Sequence, residues 1–148
     1  MFSVFTHEYF MKQALLEAQK AFEADEVPIG AVVVCENQII ARSHNWTEHL
    51  KDITAHAEIL AITAASKFLS SKYLNQCQMY VTVEPCVMCA GALYWSQLEM
   101  LVYGAGDNKK GFHTQGHSIL HPKTKLISGI MEKECADLMK LFFQKKRN

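Results

Sequence analysis

Two short, widely separated motifs, His56-Ala57-Glu58 and Pro85-Cys86-Val87-Met88-Cys89, most constrain what this chain can fold into. An imidazole and two thiolates suit a borderline-soft divalent ion such as zinc, so the fold has to bring His56 against Cys86 and Cys89. A structural zinc site closes with four protein ligands, whereas a catalytic one keeps three and leaves a position for water. The remaining acid in these motifs, Glu58, has no obvious duty as a fourth ligand. The chain therefore reads as one that binds Zn2+ through His56, Cys86 and Cys89 and keeps one corner open.

Water on such an ion loses a proton near neutral pH, and a carboxylate beside it can take that proton and pass it on, as base first and acid second. Glu58 is the candidate for this role. If Cys86 and Cys89 open a helix, they lie within about 60° of one another, at about 100° of turn per residue. The helix N-terminus also favours thiolates over thiols, and Pro85 suits a junction between strand and helix. Periodicity does not place Glu58. Residues two apart point to nearly opposite sides of an ideal helix, so a shared site requires His56 at the very first turn, with Thr54 as the candidate N-cap.

The pattern His-x-Glu followed by Pro-Cys-x-x-Cys resembles that of the zinc-dependent cytidine and deoxycytidylate deaminase superfamily. In longer form, Thr54-Ala55-His56-Ala57-Glu58-Ile59 and Glu84-Pro85-Cys86-Val87-Met88-Cys89-Ala90-Gly91-Ala92-Leu93 are most similar to the bacterial tRNA-specific adenosine deaminases, which convert a wobble adenosine to inosine. His7-Glu8-Tyr9-Phe10-Met11, Val27-Pro28-Ile29-Gly30-Ala31-Val32-Val33, Asn45, Gly104-Ala105 with Asp107 and Lys109, and Glu134-Cys135-Ala136 before Phe142-Phe143 resemble the same group, so the likeness spans most of the chain.

That resemblance implies a cytidine deaminase-like α/β fold of three layers, α/β/α, around a mixed five-stranded sheet. It also implies hydrolytic deamination of adenosine with Zn2+, a tRNA anticodon loop as partner, and a homodimer formed through the second zinc helix, where Tyr94 and Trp95 lie. Substrate contacts are expected from Asn45, from a wall of Val27, Pro28 and Ile29, and from Asp107 and Lys109, with Ala57, Thr82, Glu84 and Pro85 beside the site. One stretch departs from the group. Where the tRNA enzymes carry small residues of the Ala-x-Gly-Ser kind after Asp-x-Lys-x-Gly, this chain has Phe112-His113-Thr114-Gln115-Gly116-His117. Phe112 and the histidines are candidates to stack on or hydrogen-bond to exposed bases. His113, His117 and His121 lack a helical pattern and are not read as a second metal site.

A length of 148 residues with 49% hydrophobic content matches one domain spanning 1–148 with a substantial core. No apolar run of about 18 residues and no basic-then-apolar leader appear, so a cytoplasmic protein without a membrane partner is expected. Five cysteines, two of them claimed as ligands, argue against a disulfide framework, and Cys35, Cys77 and Cys135 read as small buried hydrophobes. With 15 basic and 15 acidic side chains the overall field does not favour nucleic acid, though Lys109-Lys110 and Lys145-Lys146-Arg147 are local basic clusters. This neutrality keeps an alternative open: the same zinc chemistry on a free nucleobase or nucleoside of the guanine or cytidine type. A zinc-stabilised binder without activity is disfavoured, because it would have no need of Glu58.

The periodicities predict a helix over 6–24 capped by Thr6, a hairpin of strands 29–35 and 38–44 turning at Glu36-Asn37, and a first zinc helix over 55–67. A strand over 77–83, a second zinc helix over 86–95, strands over 98–104 and 125–128, and a last helix over 131–145 complete the order. Residues 105–123 read as an irregular stretch, the least core-like part of the chain.

Overall fold

Along β1 (Gly30–Cys35), Ala31 and Val33 face one side of the sheet and Val32 and Val34 the other, and all four are buried. A strand covered on both faces needs a helical layer on each side, and both are present in the computed structural model, which describes residues 5–116 and 119–147. The sheet runs β2-β1-β3-β4-β5, with β2 (Gln38–His44), β3 (Cys77–Val83), β4 (Met100–Ala105) and β5 (Lys125–Ser128). β1 is antiparallel to β2 and β3, whereas β3, β4 and β5 are parallel. This is the expected mixed five-stranded sheet.

The hairpin turns where expected. Glu36 and Asn37 both take positive φ, 52° and 61°, the conformation a two-residue hairpin loop uses to match strand twist. One face of the sheet carries α1 (His7–Glu23) and α5 (Glu132–Arg147), packed through Phe10, Met11, Ala14 and Cys135 against Val32, Tyr80 and Val102. Thr6 caps α1, accepting from the Tyr9 N–H at 3.1 Å. Helix and strand come so close at Gly30 that a Cβ there would overlap the Ala14 carbonyl and the Ala18 N–H.

The other face carries α3 (Ala57–Leu69) and α4 (Val87–Ser96), which bury Ala61, Ala65, Ala90 and Leu93 against Val33, Met79, Val81 and Leu101. Small alanines let α3 lie close to the sheet. A single-turn helix, α2 (Thr47–Leu50), which the periodicity did not reveal, links β2 to α3. The 105–123 stretch also departs from expectation. It contains a short 3-10 turn, Phe112–Gln115, and sends Phe112 and Leu120 into the same core as α3 and α4. Because β3 and β4 are parallel, Glu84 at the end of one and Gly106 after the other leave the sheet at the same edge, tied by the Glu84 N–H to the Ala105 carbonyl at 2.8 Å. Clefts of open α/β sheets form at such carboxyl ends.

Candidate active site

His56 occupies the N-cap of α3 with extended backbone (φ −73°, ψ 154°), and Cys86 occupies the N-cap of α4 in the same way (φ −73°, ψ 175°). Both helices thus aim their N-termini at one point. As His56 precedes the helix, the opposite-sides geometry of residues two apart does not apply, and Glu58, in the first turn, is buried beneath it. Thr54 is not the cap. Its N–H and hydroxyl instead close a turn on the Asp52 carboxylate at 2.8 and 2.7 Å.

His56 Nδ1 lies 3.6 Å from Cys86 Sγ and 3.5 Å from Cys89 Sγ, and the three atoms all fall within 4.8 Å of one another. Tetrahedral bonds of about 2.0 Å to nitrogen and about 2.3 Å to sulfur place such ligand atoms about 3.6 Å apart, so the donor set fits zinc. Among the described residues no other cluster of His, Cys, Asp and Glu has ligand spacing.

The charges reinforce one another. A hydrogen bond from the Cys89 thiol, together with His56 and against the cost of burial, pulls Cys86 down to about 4, so it is a thiolate at neutral pH. That thiolate raises the pKa of His56 and, with burial, that of Cys89. Burial pushes the Glu58 carboxyl up to about 7. A carboxyl raised in this way can both accept and donate a proton near neutral pH.

The family described as MafB19-like deaminase matches residues 5–147. The chain belongs to this deaminase family. It is 46% identical to the tRNA-specific adenosine deaminase of Aquifex aeolicus (strain VF5), over 95% of this chain and 96% of that protein. A solved structure from studies of A-to-I editing by tRNA:A34 deaminases at the wobble position of transfer RNA superposes with a TM-score of 0.82 and 43% identity, covering 88% of this chain and 98% of the other. Guanine deaminase from Bacillus subtilis is more distant, with a TM-score of 0.67 and 36% identity over 76% of this chain and 71% of its own.

In this deaminase the remaining site candidates fall into groups. Asn45 and the Val27-Pro28-Ile29 wall adjoin, since the Asn45 N–H donates to the Ile29 carbonyl at 3.0 Å. Asn45 is largely buried there. Ala57 and Thr82 hold backbone in place: Ser43 Oγ donates to the Ala57 carbonyl at 2.6 Å, and the Gly30 N–H donates to Thr82 Oγ1 at 3.2 Å. The Pro85 carbonyl accepts from the Phe112 N–H at 3.0 Å.

Glu84 lies beside the cluster, one residue before Pro85-Cys86, with its carboxylate turned away from solvent and taken up by loop donors. It is fully buried and accepts from the Asp107 N–H at 3.0 Å, the His113 N–H at 2.8 Å and the His113 ring at 2.7 Å. Glu84 therefore moors the 107–113 loop, which also forms a β-bridge between Gly111 and Cys86. Asp107 shapes the loop tip, accepting from the Lys109 and Lys110 N–H groups at 2.9 Å each, and both lysines are exposed.

Phe112 is no platform for bases. It is buried edge-on to Tyr103, at 6.4 Å between centroids. His121 Nδ1 accepts from the Lys123 N–H at 3.1 Å, and His117 lies outside the described residues. Of the C-terminal groups, Phe142 packs edge-on against Phe22, Phe143 is exposed, and Lys146 pairs with Asp25 at 2.6 Å. Cys77 and Cys135 are buried and Cys35 is half-buried, opposite Cys77 in the sheet. A cleft of about 410 Å³, lined by Thr47, Glu48, Lys51, Asp52, Ile53 and His56, opens beside the cluster. Glu26, Glu48 and Lys51, which shape this side, carried no signal in sequence, since a lone acid or base in a loop is ordinarily solvated.

Proposed function

We propose that this deaminase hydrolyses adenosine to inosine at the wobble position of tRNA, with Zn2+ held by His56, Cys86 and Cys89. The observation that carries the reading is the convergence of three ligand atoms at the N-termini of α3 and α4, with the buried Glu58 carboxyl beside them. The substrate follows from the relatives: identity is 46% and 43% to proteins of tRNA adenosine deamination, against 36% to a guanine deaminase.

When bound, a zinc ion supplies a Lewis-acidic position at which water ionises near neutral pH. Glu58 accepts a proton from the attacking water and delivers it to N1 of the adenine ring as oxygen bonds to C6. It then carries the second proton to the exocyclic amine, the C6–N bond breaks, and ammonia leaves a C6 carbonyl behind. Free N–H groups at the start of α4 stabilise the negative charge that develops at oxygen. Asn45, tied by its N–H to the Ile29 carbonyl, takes the sugar or base by hydrogen bond, and Val27, Pro28 and Ile29 pack against the ring. The exposed Lys109 and Lys110 meet phosphates, which offsets the absence of net positive charge.

We place the enzyme in the cytoplasm with its tRNA. None of the described helices is long and apolar enough to cross a membrane. A homodimer is supported by one stripe of α4, where Val87, Met88, Tyr94 and Trp95 are exposed, Trp95 at 76%. Aromatic and methionine side chains of this kind are enriched in interfaces.

Inosine and ammonia measured from an anticodon stem-loop with a wobble adenosine, beside adenosine, guanine and cytidine, test the reading. Release from the stem-loop and not from the small compounds is the expected result. Release from guanine or cytidine and not from the stem-loop overturns it.

A further inference from the structure

The carboxylate of Glu26 has no exposed side-chain surface and is turned toward the wall of the cleft. It accepts from the Glu48 N–H at 3.2 Å, the His49 N–H at 2.9 Å, the His49 Nδ1–H at 2.7 Å and, more distantly, Thr47 Oγ1 at 3.4 Å. These donors are the orphan N–H groups and side chains of α2, a helix too short to hold its own shape. No side chain caps it from its own N-cap, which is Trp46. Glu26 does this from another part of the chain, directly before the Val27-Pro28-Ile29 wall.

The effect passes outward. His49, fixed through Nδ1, stacks on Trp46 with 3.9 Å between centroids and 13° between planes, and Trp46 in turn meets His44 edge-on at 5.0 Å. The segment from Thr47 to Ile53, which this turn starts, supplies most of the cleft lining beside His56. Lys51 holds a left-handed conformation (φ 52°) there, and Ile53 is 86% exposed.

We propose that Glu26 is a positioning residue for substrate binding: by clamping the 47–49 turn it sets the cleft wall, and the Trp46–His49 pair, against which the nucleotides flanking the reacting base are held. The inference rests on the tRNA reading. A free base would fill only the pocket at the metal, whereas a nucleic-acid loop also presses on this outer wall. Glu26 touches no ligand of the metal and takes no part in proton transfer, so its loss acts on binding and spares the chemical step.

The test compares steady-state kinetics of Glu26→Gln, His49→Ala and the double variant on the anticodon stem-loop, with zinc content and melting recorded for each. Glutamine keeps the volume but cannot accept from every donor. Expected are a rise in KM of about tenfold or more for Glu26→Gln, a kcat within about twofold, and zinc near one equivalent. His49→Ala is expected to raise KM about threefold, and the double variant no further than Glu26→Gln alone, because both act through one contact. Unchanged KM, a fall in kcat with KM preserved, or additive effects overturn the inference. Should Glu26→Gln not fold, the half-exposed His49 decides: an unaltered KM in His49→Ala overturns it. If the unsubstituted enzyme fails on the stem-loop, the functional reading falls; if it succeeds and the variants match it, the inference alone falls.

Discussion

The ring of His113 meets the buried carboxylate of Glu84 at 2.7 and 2.8 Å, and so turns the stretch that departs most from the tRNA enzymes into an internal fastening. Phe112, its neighbour, is buried in the core. Phe112 therefore faces the protein, whereas the His113 ring, held by Glu84, stays half-exposed. The arrangement repeats at α2, where Glu26 accepts two backbone N–H groups and the His49 ring. Each buried carboxylate is satisfied by donors from one loop, which is what makes its burial tolerable.

Glu84 lies against the α-carbon of Gly111, where a Cβ would overlap its Cδ and Oε1. Gly111→Ala is therefore expected to displace the 107–113 loop and lower stability by about 1–3 kcal/mol, the usual cost of overpacking. Thermal melting checks this, and an unchanged midpoint would show that the carboxylate yields freely.

Glu58→Gln removes the acid proposed to move protons and leaves His56, Cys86 and Cys89 unchanged. Turnover is expected to fall by at least the 10²–10⁴-fold that general acid–base catalysis contributes, roughly, while bound zinc stays near one equivalent per chain. Metal analysis beside an ammonia assay separates the two effects. Retained activity would remove Glu58 from the mechanism.

Burial pushes the Glu26 carboxyl up, but hydrogen bonds from the His49 ring and the His49 and Glu48 N–H groups outweigh it and hold it below its ordinary value of 4.5. The unfolded chain, with its ordinary value of 4.5, takes up the proton first as the pH falls. Stability from this group is thus complete above pH 4.5 and is lost as the pH drops through the lower folded value. Urea midpoints from pH 7 down to pH 3 should fall more steeply for the unsubstituted protein than for Glu26→Gln. Parallel curves would contradict the assignment.

A charge in the exposed α4 stripe opposes burial against a second copy. Trp95→Lys is expected to leave folding intact, as surface substitutions usually shift stability by about 0.5 kcal/mol or less, and to move the protein from dimer to monomer in sedimentation. A monomeric unsubstituted protein, or a dimeric variant, would argue against this face.

The His56, Cys86 and Cys89 cluster, the acid beside it and the order of strands and helices were legible in the sequence because each leaves a local mark. Cys86 and Cys89 sit three apart after a proline, His56 and Glu58 sit two apart, and β1 is a continuous apolar run. Boundaries agree within about two residues, and Thr54 falls two residues short of the N-cap, His56, closing a turn on Asp52 instead. What stayed hidden were contacts with no local pattern. Nothing near Glu84 announces that His113 will reach it, and nothing near Glu26 announces α2. By itself the sequence determined the deaminase family and which side chains can gather as metal ligands, since residue type and spacing are local properties. Only the tertiary structure decided how the cleft is walled, because a buried carboxylate is satisfied by whichever loop the fold brings over it, and that proximity is a property of packing.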